Sequence, residues 1–419
     1  MLIVRLKPGK EGPLLQGHPW VYSGAVDKVQ GEPEMERLCR VLNARGQFVC
    51  QGMYNPVSQL AVRVLTMGKE VIDRSFFHSR IKRAVALRNA VMPGDTTCCR
   101  LINAEGDLLP GLVVDRYNDI LVMQVITPGV DDIKGDIVDC LRSELPSCVI
   151  FERSDTRTRS NEGYRPETGP IYGTFETEDL RVREHGIEFA VDILTGDKTG
   201  FYLEHRDTRR RIMAYAGGRD VLDLFSYTGS FSVCALKAGA SSVTSIDSSA
   251  PAQVQLKRNM ELNRIKPFTW RHHKDDAARF LGDDKAFYDL VLCDAPAFGN
   301  EYEEHSRTLQ LAVARVKPGG ILFALAPVTS QFNTGDLLKA NGGGAKMGDV
   351  APAHWGTVAA EQLRRLSAVG FVPMASLVVG LPGETPQDVT QTLEWVRSLR
   401  NERLTIFPVV FAPVRGDEP

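Results

Sequence analysis

Apolar and polar positions change period several times along the chain. Up to about residue 70 the apolar segments are short, Leu38–Leu42, Gln47–Met53 and Leu60–Leu65, and Gly- and Pro-rich turns separate them, which predicts a small all-β module. Phe76 to Val91 then places Phe77, Ile81, Val85 and Leu87 near one helical face, with Arg80, Lys82, Arg83 and Arg88 mostly elsewhere, and predicts an amphipathic connecting helix. After Pro93 the alternation of strands returns in CCRLINAEGD, LLPGLVVDRYND and ILVMQVI, with Gly106-Asp107 and Asn118-Asp119 as turn punctuation. A β-rich middle region to about residue 190 follows, its second half broken by a polar loop from Ser154 to Pro170 that carries Arg157, Arg159 and Arg165.

From Arg219 the rhythm becomes strand, glycine turn, helix, strand, the signature of a doubly wound parallel sheet. The expected strands are Asp220–Phe225, Ser242–Ile246, Phe268–Arg271, Tyr288–Cys293 and Gly320–Leu325. After Leu325 the rhythm fails in a Gly- and Asn-rich run, Asn333 to Gly348. Beyond it a helix His354–Val369, a strand Val372–Val379, a helix Pro386–Leu399 and a strand Leu404–Val410 are expected, docking beside the fifth strand of the sheet.

A chain of 419 residues is too long for one ordinary domain, so two or three cores are expected. With 43% hydrophobic and 24% charged residues the composition is that of a globular protein, and no apolar run approaches the ~18 residues of a membrane span. The first residues, MLIVRLKPGKEG, are too short an apolar run for a secretory signal, so a cytoplasmic location is expected. A net charge of −2 argues against a wholesale nucleic-acid coat, so any basic face must be local. The N-terminal module offers one: Lys7, Lys10, Arg37, Arg40, Arg45 and Arg63 face few acids, and Trp20 and Tyr22 offer stacking surfaces. Lys7, Lys10, Trp20 and Arg63 are the candidate nucleic-acid contacts, against the alternative of an aromatic core plug beneath a solvated charged face. The eight cysteines are scattered and read as reduced thiols; no CxxC spacing occurs, which leaves no ligand set for zinc or an iron–sulfur cluster.

The candidate chemistry gathers at the strand ends. VLDLFSYTGSFSVCALKAGA runs from a strand through Asp223 and a turn with Gly229 into an apolar helix, which brings backbone N–H groups and a helix N-terminus to the carboxyl edge of the sheet. G-x-G-x-x-G is absent, and one turn glycine behind an acid suits a ligand without a pyrophosphate. Asp247 closes the second strand, placed for ribose hydroxyls; Asp276 follows the third, and Asp294 ends the fourth. Helix caps and loop-start acids are the alternative reading of these four carboxylates.

This spacing resembles the class I S-adenosylmethionine (SAM) methyltransferases. The runs RLINAEGDLLPGLVVDRYND, DILTGDKTGFYLEHRDTRR and VLDLFSYTGSFSV resemble one branch, the large-subunit ribosomal RNA cytosine-5 methyltransferases with an N-terminal PUA domain, over roughly residues 1–325. The resemblance implies an α/β fold: a PUA-like β-barrel (1–72), a β-rich central domain with the connecting helix (73–190) and a Rossmann-like SAM domain (191–327), followed by an α/β fragment (328–419). It implies SAM as cofactor and ribosomal RNA as partner. Asp223 and Gly229 match the first SAM motif, with Phe225, Tyr227 and Thr228 between them; Asp247 with Ser248 match the ribose acid, Asp276 with Ala277 the acid near the adenine, and Asp294 the catalytic acid of the fourth motif. Lys198, Thr199, Gly200, Phe201, Tyr202, Arg206 and Arg209 match a segment leading into the cofactor pocket, from which Tyr202, Glu204 and His205 depart mildly. His205 reads as a solvated or hydrogen-bonded residue ahead of a base.

Carbon 5 of cytosine is a poor nucleophile, so the implied chemistry needs a cysteine thiolate that adds to the neighbouring ring carbon. The family places it just after the fifth strand, where this sequence has Pro327 in GGILFALAPVTS, and no cysteine follows Cys293. Cys293 adjoins Asp294 on a strand, where neighbouring side chains point to opposite faces, and reads as a core residue. The fourth motif also departs in carrying Ala295. FNTGDLLKANGGGAKMGDVAPAHW and GFVPMASLVVGLPGETPQDVTQTLEWVRSL resemble the C-terminal part of a radical-SAM barrel, without the cysteines of its [4Fe–4S] cluster. Three readings therefore stand: a SAM-dependent RNA methyltransferase whose turnover is open, a non-catalytic RNA- and SAM-binding protein, and a radical-SAM fragment. The target nucleotide and the oligomeric state, homodimer included, are left open.

Overall fold

A computed structural model describes residues 1–33, 37–174, 179–295 and 302–324, and in the tail residues 360, 364, 374–379, 386–399 and 405–410. The chain forms two compact units, one built mainly of Met1–Gly186 and Val191–Leu203 and one of Ile187–Ala190 and Glu204–Ala412.

In the first unit β1 (Leu2–Leu6), α1 (Gly12–Leu15), β2 (Trp20–Val21), β3 (Val26–Gln30), β4 (Leu38–Leu42), β5 (Phe48–Tyr54) and β6 (Val62–Thr66) build a six-stranded sheet in the order β2-β6-β5-β4-β1-β3. Strands β1 and β4 alternate buried and more exposed positions, β5 is buried along most of its length, and Leu2, Val4, Leu6, Val41 and Val62 fill the interior. The connecting helix α2 (Arg74–Val91) starts at Asp73, whose side chain accepts from the Phe76 N–H at 3.0 Å. Phe76, Phe77, Ile81, Ala84 and Val85 form its buried stripe, while Leu87, expected on that face, is exposed. A second sheet, β11-β10-β9-β8-β7, consists of β7 (Cys98–Asn103), β8 (Leu112–Tyr117), β9 (Ile120–Val125), β10 (Val149–Ser154) and β11 (Glu167–Tyr172). Between β9 and β10 lie α3 (Pro128–Asp132) and α4 (Lys134–Glu144), and α5 (Arg157–Asn161) precedes β11; β12 (Arg181–Glu184) follows.

The stretch from Ser154 to Pro170 is therefore not a plain loop. Thr156 caps α5, and β11 pairs antiparallel with β10. Arg159 is buried and bonds the Val125 carbonyl at 2.7 Å and the Arg165 carbonyl at 2.7 Å, an interior use of a charged side chain that polar composition conceals.

The second unit contains β13 (Ile187–Ala190), α6 (Arg206–Ala216), β14 (Asp220–Leu224), α7 (Ser230–Lys237), β15 (Ser242–Asp247), α8 (Ala250–Leu262), β16 (Trp270–Lys274), α9 (Ala277–Asp283), β17 (Tyr288–Cys293), α10 (Tyr302–Val313) and β18 (Val316–Ala324). Strands β14 to β18 form an all-parallel sheet in the order β16-β15-β14-β17-β18. A parallel sheet is covered on both faces, and the central strands β14 and β17 are accordingly almost wholly buried, whereas the edge strand β16 (WRHHK) is largely exposed. One face packs Val221, Leu290 and Leu292 against Ile212 and Ala216 of α6 and Phe231 and Ala235 of α7. The other packs Leu222, Leu224, Val291 and Cys293 against Ala277 and Leu281 of α9 and Ala312 of α10.

The third strand starts at Trp270 rather than Phe268, because Pro267–Thr269 coil into one 3-10 turn that leaves Phe268 exposed. In the tail β19 (Met374–Val379), α11 (Pro386–Ser398) and β20 (Thr405–Val410) are described, and β19 pairs parallel with β20. Among the described residues these two strands form their own sheet and do not pair with β18. The expected helix His354–Val369, the run Asn333–Gly348 and the Pro327 position lie outside the described residues, residues 360 and 364 apart. Among the described residues no helix is long and apolar enough to cross a membrane.

Candidate active site

Strand register decides which acids meet. Asp223 of β14 pairs with Ser245 of β15, and Ser245 with His272 of β16, so these side chains form one row across a single face. Two residues further along β15 and β17 come Asp247 and Asp294, which return to that face because strand side chains alternate. Asp223 is thus one layer deeper than the other two. It is fully buried and accepts a hydrogen bond from Ser232 Oγ of α7 at 2.5 Å, while Ser232 and Ser245 share another at 2.7 Å. Burial pushes its carboxyl up to about 7, and the charges of Asp294 and Asp247 push in the same direction. That mutual influence places three of the four expected acids in one cluster.

The fourth lies just past the neighbouring strand, where the Asp275 N–H donates to the Asp247 carbonyl at 3.2 Å. Asp276 is exposed and caps α9, its Oδ1 accepting from the Arg279 N–H at 2.9 Å, with Ala277 buried behind it. Here the capping alternative describes the geometry.

The turn between β14 and α7 is held in an unusual conformation. Phe225, Tyr227 and Gly229 all have positive φ, at 58°, 46° and 74°. Left-handed backbone is strained for the two aromatic residues and persists only when the surroundings over-determine it. They do: Ser226 N–H donates to the Ile246 carbonyl at 2.9 Å, Tyr227 N–H to Asp247 Oδ2 at 2.8 Å, and Gly229 N–H to the Ser226 carbonyl at 2.8 Å. Gly229 is required twice, since a Cβ there would also lie 2.7 Å from Leu256 Cγ of α8. Asp247 Oδ1 accepts from Ser249 N–H at 2.8 Å, and Ser248 is exposed beside it. A carboxylate has about four lone-pair sites, so Asp247, partly exposed, keeps acceptor capacity for hydroxyls.

Asn259 of α8 is a site residue that sequence reasoning missed. Fully buried, it donates from Nδ2 to the Thr228 carbonyl at 2.8 Å and accepts the Ala190 N–H on Oδ1 at 2.8 Å. Nothing in the sequence marks it beyond being a polar residue on the inner stripe of a helix.

At the outer edge of the cluster His205 Nε2 lies 3.0 Å from Asp294 Oδ2, and the His205 ring lies 5.6 Å from that of Phe231. Arg206, next to it, has its Nε 3.5 Å from Asp207, and Arg209 is completely buried with its guanidinium 3.4 Å from Ser230 Oγ at the start of α7. A buried guanidinium beside the first turn of α7 adds positive charge where that helix presents its N–H groups. Cys293 points the other way, into the layer containing Leu224, Leu281 and Ala312, and burial pushes its thiol up to about 12.

The matched segment preceding these residues falls in the first unit. Lys198 is exposed, with φ 58° and its Nζ 5.4 Å from the Tyr202 ring centroid. Thr199 is buried and donates to Asp115 at 2.6 Å, sharing a further hydrogen bond with Tyr117 at 2.8 Å. A Cβ on Gly200 would lie 2.8 Å from the Asp192 carbonyl, Phe201 is buried, and Tyr202 Oη donates to Asp197 at 3.1 Å.

Of the candidate RNA contacts, Lys7 and Lys10 are exposed, Lys7 donating to the Gly24 carbonyl at 2.8 Å. Trp20 is half-buried and its indole N–H donates to Glu105 at 2.9 Å. Arg63 is a correction: it is 5% exposed and its guanidinium makes a bidentate pair with Glu162 at 2.7 and 3.0 Å, so no donor of that fork faces a phosphate. Among the described residues one carboxylate cluster, Asp131, Glu152 and Glu167, has a metal-like spacing. Lys134 Nζ already occupies it, 3.0 Å from Glu152 and 3.1 Å from Glu167, and neutralises the charge a cation would need.

Asp223 Oδ1, Ser226 Oγ and both ring nitrogens of His272 are buried without a protein partner among the described residues, around a turn whose backbone is pre-set. A polar ligand with hydroxyl and amino groups suits that set. Residues 4–67 match the family model of a PUA-like domain, and residues 148–335 that of S-adenosylmethionine-dependent methyltransferases. Fold and site together define a SAM-dependent methyltransferase. Ribosomal RNA large subunit methyltransferase I of Pseudoalteromonas translucida is 35% identical over 335 residues, covering 77% of this chain and 85% of the relative. The protein of the same name from Photobacterium profundum is 37% identical over 332 residues, covering 76% and 84%. The chain belongs to the ribosomal RNA large subunit methyltransferase I family. Two solved structures show the same fold. A protein from Streptococcus mutans assigned as a SAM-dependent methyltransferase has a TM-score of 0.67 at 21% identity, covering 77% of this chain and 85% of its own. A methyltransferase-like chain complexed with SAH has a TM-score of 0.70 at 20% identity, covering 84% and 92%.

Proposed function

We propose that this protein transfers the methyl group of SAM to a base of large-subunit ribosomal RNA. The observation that carries the reading is the pre-set Phe225–Gly229 turn closing on Asp247, with Asp294 on the same face of the sheet. The names of the relatives supply the RNA, and the PUA-like module, with Lys7 and Lys10 exposed, supplies a surface for it.

Bound SAM supplies an electrophilic methyl group on a positively charged sulfur. The chain's own part is positional. Asp247 receives ribose hydroxyls on its remaining lone pairs, the rigid turn presents backbone N–H groups and the first turn of α7, and Asp294, partly exposed, faces the acceptor base. Holding donor and acceptor in line supplies a large share of the barrier reduction without acid–base help. Asp276 with Ala277, Ser248, and the segment Lys198–Tyr202 rest on the resemblance alone; SAM affinity in Lys198→Ala tests that segment, falling if it serves the cofactor and staying level if it does not.

The tail is read as a barrel-like fragment, supported by its parallel β19–α11–β20 unit. The function is tested by incubating the protein with methyl-labelled SAM and unmodified large-subunit ribosomal RNA. Label in that RNA is expected, and label absent from it, or present only in small-subunit RNA, contradicts the proposal.

A further inference from the structure

The chain as a whole carries a net charge of −2, yet residues 254–274 hold six lysines and arginines against one acid, Glu261. They follow one stretch of the second unit, from α8 through the Pro267–Thr269 turn into β16. Strand β16 ends the parallel sheet, and among the described residues no strand pairs with its outer side. Lys257, Arg264, Lys266, Arg271 and Lys274 are all exposed, and among the described residues none of them makes an ion pair. Arg279 of α9 shows the contrast, since its guanidinium is paired with Asp275.

Charge at an open sheet edge has an ordinary use, because lysine and arginine there deter edge-to-edge pairing. Two residues do not fit that use. Phe268 is 82% exposed, and an apolar ring at an edge invites association rather than deterring it. The turn holds it outward: Pro267 fixes the backbone angle at its start, and the Lys266 carbonyl accepts from the Thr269 N–H at 3.0 Å and from Thr269 Oγ1 at 2.7 Å. Lys266 Nζ lies 5.9 Å from the Phe268 ring centroid. Arg264 is the second. It follows the end of α8 at φ 55°, the left-handed position where glycine is the usual residue, so an arginine is kept there against backbone strain.

Unpaired cations interleaved with a propped aromatic ring suit a single strand of nucleic acid, whose phosphates take the cations and whose unstacked bases take the ring. In the β15–β16 register Lys274 is level with Asp247, so the surface reaches to within one strand spacing, about 4.8 Å, of the proposed ribose acid. We infer that the β16 edge is an RNA-binding surface of the methyltransferase unit itself, in which Lys257, Arg264, Lys266, Arg271 and Lys274 hold phosphates of a single-stranded segment and Phe268 stacks on one of its bases. The inference rests on the proposed RNA methylation and assigns where the chain grips that substrate beside its catalytic sheet. Such a surface reads backbone and base planes, so it tolerates many sequences.

The test uses the full-length protein and a fluorescent single-stranded fragment of unmodified large-subunit ribosomal RNA, with anisotropy followed over a salt series in the absence of SAM. Lys257→Gln, Lys266→Gln and Arg271→Gln together should weaken binding about tenfold or more. They should also lower the magnitude of the slope of log K against log salt by about two, three contacts at ~0.7 each. Phe268→Ala should weaken binding about fivefold or more with the slope unchanged, and this loss should vanish on a duplex, which offers no free base. A loss of equal size on the duplex overturns the stacking role. Calorimetric SAM affinity should stay within about threefold in both variants. Arg264→Gly, which gives the left-handed position its favoured residue, should hold or raise the unfolding midpoint while RNA affinity falls. Wild-type affinity and slope in all these variants, with label still transferred to the RNA, overturns this surface and leaves methylation standing; a wild-type protein that neither binds nor methylates the RNA overturns both. Loss of a dimer in sedimentation, with RNA affinity intact, would make the edge a contact between copies and likewise overturn the inference.

Discussion

Asn259 donates from its side-chain amide to the carbonyl of Thr228 at 2.8 Å, pinning the Phe225–Gly229 turn to the inner face of α8. The same side chain accepts the Ala190 N–H, so one residue fixes two backbone segments against one helix. A turn with two aromatic residues at positive φ stores strain, and such strain persists only while its restraints hold. Asn259→Ala leaves a buried carbonyl and a buried N–H unpaired, which costs on the order of 1–3 kcal/mol each. We expect a lower unfolding midpoint in denaturant and SAM affinity weakened by about tenfold or more; unchanged affinity in a folded variant contradicts the pinning role.

Asp223 links stability to pH. Its carboxyl is pushed up to about 7 by burial and by Asp294 and Asp247, so between about pH 4 and 7 the folded protein holds a proton that the unfolded chain has released. Stability from this group is therefore present at low pH and is lost as pH rises through 7. Asp223→Asn, which cannot ionise and still pairs with Ser232, should be the more stable form at pH 8, by on the order of 1–3 kcal/mol, and should show little advantage at pH 4. Urea melts of both proteins at the two pH values check this.

Arg63 and Glu162 form a buried ion pair in which Glu162 also accepts from Asn55 Nδ2 at 2.9 Å and Ser58 Oγ at 2.8 Å. Removing one partner strands the other charge in the interior. Glu162→Ala should lose about 3–5 kcal/mol of stability in the first unit, and a paired apolar replacement, Arg63→Met with Glu162→Leu, should recover most of it. If RNA affinity drops in the double variant while stability is restored, Arg63 has a part in RNA binding after all.

Exposed Lys10 remains a candidate phosphate contact. Each neutralised phosphate contributes about −0.7 to the slope of log K against log salt for a single strand. Lys10→Gln should lower the magnitude of that slope by about one contact and weaken all RNA sequences alike. A slope that stays the same removes Lys10 from the interface.

The parallel sheet was legible because period and punctuation agree: β14 and β17 start where the apolar runs start, and the glycine turn at Gly229 falls where positive φ is needed. Asp247 and Asp294 were legible for the same reason, since strand ends fix the depth of a side chain. Asp276 carries two readings with one sequence signature, capping acid and ligand acid; its Oδ1 takes the Arg279 N–H, and its ligand role stays a proposal. Interior charge defeated the reading elsewhere. Arg63 and Arg159 look like surface residues in any composition count, yet both are buried by partners 99 residues away in sequence for one and 34 for the other. Asn259 escaped notice because its role depends on two backbone groups brought to it by the fold.

The β14–α7 turn and Asp247 form the proposed SAM site. Calorimetric titration of the full-length protein and of Asp247→Ala with SAM tests it directly. Saturable binding at one site per chain, weakened about tenfold or more by the substitution, is the predicted result; no saturable heat, or equal affinity in the two proteins, would contradict it.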